Sequence, residues 1–269
     1  MSAAAATYRV LAHNYAFDSD NRIHSDDVAS QFGFKGGLVP GVADFAYLAR
    51  AAYDALGDRL LSGGVVEGKF IKPIYHGEIA EADARPQDGR PDCLALTLTN
   101  PEGVLCAAGT AELDAADPEP VFADYSAAAA IADEARPAPE VATFPAGTLL
   151  AAYEYRYDAD AARTETGDMF VDPWPGQSGW HPASALHDAN RILRANVALG
   201  PWIHTASRLQ LYRAPGDGAW ISLRGRVLDT YEKRGHVMTE ADLALFADET
   251  PLARIKHTAI IRLAGQPAG

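Results

Sequence analysis

The sequence predicts an α+β protein built as two units in tandem, each an antiparallel sheet wrapped around one long helix. Three observations carry this. Two segments repeat apolar residues at helical spacing, each is followed by strand-like runs joined by short turns, and a stretch rich in Ala and Pro separates them. Strands that follow one another across short turns pair antiparallel, which excludes a βαβ sheet.

In chain order, residues 21–36 form a polar loop and a short helix. Ser25 stands as its N-cap, and Asp26 and Asp27 lie in the first turn, where carboxylates suit the helix dipole. Gly33, Gly36 and Gly37 break the chain, and Pro40 opens a helix. Phe45, Leu48, Ala52 and Leu56 share one face of that helix, and Gly57 stops it. Val66, Gly68 and Phe70 alternate with Glu67 and Lys69 as in a strand. Two further strands, 92–99 and 104–113, flank the turn Asn100-Pro101-Glu102-Gly103. A simple hairpin there sets Cys93 opposite Thr110 and Cys106 opposite Thr97, so the two thiols are expected reduced and apart, as in a cytoplasmic protein.

Residues 117–145 change composition and are read as a linker with one short helix around Tyr125 to Glu134. The expected domains are thus 1–116 and 146–269. In the second, Pro182 opens a helix with Leu186, Ala189, Leu193 and Val197 on one face, and Gly200 closes it. Strand-like runs follow at 202–213, 219–232, 236–247 and 252–263. The halves share an order of elements but no sequence identity.

Charge and spacing exclude several functions. A formal net charge of −13 repels a polyanion, so nucleic acid is not an expected partner. No apolar run reaches the ~18 residues of a membrane helix, and residues 1–8 lack a secretion-signal pattern. The eight histidines show no metal-ligand spacing, and no glycine-rich phosphate or dinucleotide loop occurs; no metal or cofactor is expected.

The stretch Asn21-Arg22-Ile23-His24-Ser25-Asp26-Asp27, running on to Gly36-Gly37-Leu38-Val39-Pro40-Gly41, resembles the hydratase motif of the MaoC-like hydratases and dehydratases, which have the hotdog fold. Phe70 to Glu78 and Ala107 to Glu112 are similar to later strands of that family, so the resemblance covers most of residues 5–115. Gly200-Pro201-Trp202-Ile203-His204 and the strands after it are similar to the second repeat of acyl-CoA thioesterases. The resemblance implies a double hotdog acting on an acyl thioester, either CoA- or carrier-linked, as an (R)-specific enoyl-thioester hydratase or 3-hydroxyacyl dehydratase. It also implies a homodimer by analogy.

The family's acid lies five residues before the motif His, where this chain has Ser19, so the role of base passes to Asp20 with His24 as its partner. Asn21 is expected to shape the loop or bind the thioester carbonyl. Gly37, Leu38, Val39 and Gly41 are expected to bind substrate, since unpaired N–H groups at a helix start stabilise an oxyanion. Asp188, on the second helix, is the hydrolytic carboxylate if the enzyme is instead a thioesterase, or pairs with Arg191 or Arg194 if it is structural. A hotdog that acts on a carbonyl intermediate not linked to CoA, or that only binds acyl groups, are the other readings. Trp174, Trp180, Trp202 and Trp220 form either an aromatic wall for substrate or packing at the junction of the halves.

Overall fold

The structure, a computed structural model, describes residues 4–113, 117–176 and 179–266. The boundary expected at residue 116 lies outside the described residues. Ten strands form one continuous sheet, running through β1 (Ala6–Leu11), β2 (Val65–Phe70), β3 (Ile79–Gln87), β4 (Arg90–Thr99), β5 (Leu105–Glu112), β6 (Tyr153–Arg156), β7 (Ile203–Leu211), β8 (Trp220–Lys233), β9 (His236–Ala247) and β10 (Thr250–Arg262). Their spatial order is β1-β3-β4-β5-β2-β7-β10-β9-β8-β6. Read from the centre outwards, β2-β5-β4-β3-β1 mirrors β7-β10-β9-β8-β6, so the two halves are the same arrangement joined edge to edge.

The join is the antiparallel β2–β7 pair, from Val65↔Gln210 to Lys69↔Ala206. Each half thereby uses its partner's strand to satisfy an edge that would otherwise expose a row of N–H and C=O groups. Only the inner edges are covered this way. The outer edges, β1 and β6, stay short, at six and four residues.

Among the described residues there are four α-helices: α1 (Asp26–Gln31), α2 (Gly41–Leu56), α3 (Ala159–Phe170) and α4 (Ser184–Asn196). Helix α2 touches all five strands of its half and also β7. Its expected apolar face is buried, but so are Val42, Ala43, Asp44, Ala46, Tyr47, Ala49 and Ala51. The sheet curls around this helix, and a run of alanines lets it approach on nearly every side. Helix α4 is buried on one face only, through Ala185, Leu186, Ala189, Ile192 and Leu193. Its other face carries His187, Asn190, Arg191 and Arg194.

Gly109 permits the tightest strand contact: a Cβ there would sit 1.7 Å from the Glu67 carbonyl oxygen on β2. The turn at Asn100 to Gly103 forms, but its register differs from a simple hairpin. A bulge between Leu98 and Thr99 shifts the ladder, and Cys93 pairs with Glu112, not with Thr110. Thr97 pairs with Ala108, and Cys106 falls at the bulge. Both cysteines are free and buried.

The helix expected around Tyr125 to Glu134 does not form. Short 3₁₀ turns occur at Phe122–Asp124 and Asp133–Ala135 instead. Prolines deny the segment a ladder, and tertiary contacts hold it extended across the outer face of the second half. The rings of Phe122 and Tyr125 pack edge-on against Phe246, and the Gln210 side chain bonds both the N–H and C=O of Asp117. Helix α3 and strand β6 were not expected from the sequence, although Tyr153, Tyr155 and Tyr157 alternate with Glu154, Arg156 and Asp158 as in a strand. Asp158 caps α3 through the N–H groups of Asp160 (3.0 Å) and Ala161 (2.9 Å), and α3 buries only Thr166, Met169 and Phe170. Helix α4 ends at Asn196, four residues before Gly200, with Val197 already extended.

Candidate active site at the junction of the halves

The loop that carries Asn21 and His24 lies between the N-terminus of α2 and the start of β7. Asn21 is buried and clamps the backbone of Trp202: its Oδ1 accepts from the Trp202 N–H (3.1 Å) and its Nδ2 donates to the Trp202 carbonyl (3.0 Å). These two bonds fix which end of the amide is nitrogen. The second Nδ2 hydrogen then faces His24 Nε2, 3.2 Å away. His24 Nε2 must therefore be the acceptor, and Nδ1 carries the proton and donates to the Leu38 carbonyl (2.8 Å). One neutral tautomer satisfies every bond. Burial pushes the His24 pKa down to about 4, against a smaller opposing effect of the Leu38 carbonyl.

Gly37 holds the loop together from behind. A Cβ at Gly37 would lie 2.0 Å from the His24 carbonyl oxygen, and the Gly37 N–H donates to Asp26 Oδ1 (2.7 Å). Gly37 thus supports His24 and does not line the cavity in front of it. The Val39 N–H is spent on the Ile74 carbonyl (3.0 Å). The first bonds to a helical carbonyl in α2 come from Ala43 (2.8 Å) and Asp44 (3.3 Å), both to Pro40. The Gly41 and Val42 N–H groups precede these bonds and remain available at the helix start.

Two cavities meet here. One, of about 210 Å³, is mainly apolar, with Ile23, Phe34, Leu38, Val39, Phe70, Ile203 and Ile260 in its wall. The other, of about 410 Å³, is more polar than the first and is edged by Glu165, Asp168, His187, Arg191 and Arg194. Asn21, His24, Pro40, Asn190 and Trp202 line both, so the His24 ring stands where an apolar chamber meets a polar vestibule.

Asp20 does not share this position. Its side chain is 88% exposed, forms an ion pair with Arg194, and lines neither cavity. A single residue step in an irregular loop turned it outward while Asn21 turned in. Asp188 is 2% exposed and likewise lines neither cavity. It accepts from Tyr155 Oη (2.8 Å) and from Arg191 Nη1 (3.2 Å). Burial raises its pKa to about 6, with Arg191 opposing. Leu38, Val39 and Gly41 do line the apolar chamber. Of the four tryptophans, Trp202 lines the site; Trp174 stacks on Tyr53 and His181, and Trp220 is half exposed on β8.

Three site residues were not anticipated. Asn190 on α4 lines both cavities, and its Oδ1 is buried without a partner. Asp44, one turn into α2, lines the apolar chamber at 3% exposure with Oδ1 unpartnered, and burial drives its pKa well upward. His204 at the start of β7 lines the same chamber. A signal existed for Asp44, the lone charge in the run Val42-Ala43-Asp44-Phe45-Ala46. For His204 and His257 no such signal existed, because β7 and β10 carry several other polar residues.

No protein-family model matches the chain, and no curated protein matches it. Solved structures do. A protein described as a MaoC domain dehydratase from Chloroflexus aurantiacus aligns over 98% of this chain and 96% of its own, with a TM-score of 0.66 at 10% identity. A Mycobacterium tuberculosis protein with a double hotdog fold aligns over 97% and 96%, with a TM-score of 0.62 at 14% identity. A protein described as an oleoyl thioesterase from Lactobacillus plantarum aligns over 99% and 98%, with a TM-score of 0.51 at 12% identity. At such identities the likeness concerns architecture, and together with the mirrored sheet order it establishes that this chain has the double hotdog fold.

Proposed function

We propose that the protein is a hydro-lyase that adds water to, or removes it from, an acyl thioester, with His24 as the proton-transferring base. The observation that carries this reading is the His24 imidazole itself. It is neutral, fixed in one tautomer, and set where an apolar chamber meets a polar vestibule beside the free N–H groups of α2. The acyl group occupies the apolar chamber, and the CoA or carrier arm leaves through the vestibule.

In the hydration direction, water takes the place of the Asn21 N–H at the single lone pair of His24 Nε2 and also donates to Asn190 Oδ1. His24 takes one proton as the water oxygen bonds to Cβ. The electron pair of the C=C bond moves onto the thioester oxygen, which the Gly41 and Val42 N–H groups stabilise. The imidazolium then returns the same proton to Cα, so one water is added in all. The bond from Asn21 that water displaces is the longer of the two that its amide donates, 3.2 Å against 3.0 Å. A thioesterase reading through Asp188 is less well supported, because that carboxylate is taken up by Tyr155 and Arg191.

The test follows the ultraviolet band of crotonyl-CoA together with free thiol. Wild type should lose the enoyl band without releasing thiol. His24→Ala should lower the rate by about 10²–10⁴-fold, and Asp20→Asn should stay within about twofold because its charge is solvated. Loss of activity in Asp20→Asn equal to that in His24→Ala would overturn the assignment. Thiol release by wild type would replace hydration with hydrolysis.

A further inference from the structure

Behind the apolar wall of the chamber lies a buried polar chain that the proposed chemistry leaves unused. His204 Nε2 and Ser207 Oγ are 2.7 Å apart, and Ser207 Oγ and His257 Nδ1 are 3.0 Å apart. Ser207 and His257 are direct cross-strand partners on β7 and β10, and a bulge between Thr258 and Ala259 brings His204 onto the same side. All three residues are at most 5% exposed. Burial holds both imidazoles neutral: it lowers His257 to about 3, and it takes His204 well below the ordinary imidazole value, with His257 adding to the effect.

The hydrogen-bond count of this chain is incomplete. Ser207 has one proton, so it donates to one ring and accepts from the other. That leaves His204 Nδ1 and His257 Nε2; neither makes a hydrogen bond of normal geometry, and the nearby Ala206 backbone acts on His204 only in opposition to its burial. If Ser207 donates to His257, His204 Nδ1 is an acceptor; if it donates to His204, Nδ1 is a donor. The outer nitrogens always have opposite character, and shifting protons across Ser207 exchanges them. His204 lines the apolar chamber, as does Asp44, whose Oδ1 is also unpartnered. Two buried groups on different elements, α2 and β7, thus reach the mainly apolar cavity with bonding capacity to spare. Buried polar atoms left unpaired are costly, so an occupant that pairs them is favoured over one that does not.

We propose that the chamber selects an acyl group bearing a further oxygen substituent beyond Cβ, a hydroxyl or a carbonyl on its chain, which hydrogen-bonds His204 Nδ1 and the Asp44 carboxyl. A plain alkyl chain of equal length is the disfavoured ligand. This deepens the reading above, since it takes the chamber as the acyl site, but it concerns ground-state binding and not turnover. The switchable relay lets one site accept either substituent, a hydroxyl that donates or a carbonyl that only accepts.

The test is binding of saturated N-acetylcysteamine thioesters, which cannot be hydrated, read by ligand-observed NMR competition. The probes are hexanoyl and its 4-, 5- and 6-hydroxy and 5-oxo derivatives. Wild type should bind at least one oxygenated probe about tenfold more tightly than hexanoyl. His204→Phe should erase that preference, and His204→Asn, which keeps a donor and an acceptor, should retain part of it; near-ultraviolet circular dichroism checks that both fold. If no oxygenated probe exceeds hexanoyl by twofold, or no probe binds, the proposal is overturned. It is also overturned if folded His204→Phe keeps the preference. A preference without crotonyl-CoA turnover would spare this proposal and sink the hydro-lyase reading; turnover without a preference would do the reverse.

Discussion

Replacing Asn21 with alanine removes the buried side chain that joins the loop of His24 to the second half. Trp202 is buried, and its N–H and C=O both bond to Asn21 at 3.1 and 3.0 Å. Alanine leaves both groups without these partners. At roughly 1–3 kcal/mol for each unsatisfied buried group the loss is about 2–6 kcal/mol. The adjoining vestibule lets water recover some of this, so the expected cost is about 2–4 kcal/mol. For a chain of this size that is a drop in Tm of roughly 5–15 °C, measurable by calorimetry or by circular dichroism on heating. Asn21→Asp separates the clamp from the tautomer. It still accepts from the Trp202 N–H, but it turns a carboxylate oxygen toward the Trp202 carbonyl and His24 Nε2. A nearby negative charge favours the imidazolium, so the His24 pKa should rise from about 4, as followed by NMR of the ring. A cost under about 0.5 kcal/mol for Asn21→Ala, far below the usual cost of unpaired buried groups, would refute the clamp. An unmoved His24 titration in Asn21→Asp would refute the hydrogen-bond polarity argued for this loop.

Acid should destabilise the fold between about pH 6.5 and pH 4. His24 is lowered to about 4, His181, His187 and His257 to about 3, and His204 well below its ordinary value, all chiefly by burial. Above about pH 6.5 these groups are neutral in both states. Below it the unfolded chain binds protons that the native state refuses, so stability falls with pH. Asp44 and Asp188, both raised by burial, act in the opposite sense but are fewer. Urea melts from pH 7 to pH 4.5 check the direction, and a rising midpoint on acidification would contradict it. The rate of the proposed hydration, in which His24 acts as a neutral base, should hold down to about pH 5 and fall as pH passes about 4. Gly37→Ala should lower both activity and stability, by about 1–3 kcal/mol for the latter, because its Cβ would collide with the His24 carbonyl oxygen; enzyme assay and thermal melts on the same sample would show it.

The sequence by itself determined the local elements of this protein. Phe45, Leu48, Ala52 and Leu56 marked α2, Gly57 ended it, and the turns at Pro215, Gly235 and Asp248 cut the second half into its long strands. Periodicity and turn chemistry are properties of neighbouring residues, so they survive in one dimension. The motif around Asn21 and His24 was legible for the same reason. Elements held only by distant contacts were not: α3 buries few residues, and the 117–145 stretch lies extended because Phe246 and Gln210 receive it. The direction of a side chain in an irregular loop depends on what stands opposite. Asp20 and Asn21 are adjacent, yet Arg194 draws one outward and the Trp202 backbone holds the other inward. Tertiary structure alone decided that β2 pairs with β7, and this pairing brings Asp44 and His204 to one chamber with His24. Their chemistry comes from burial and from unpaired hydrogen bonds, quantities that exist only once residues far apart in the chain have closed around them.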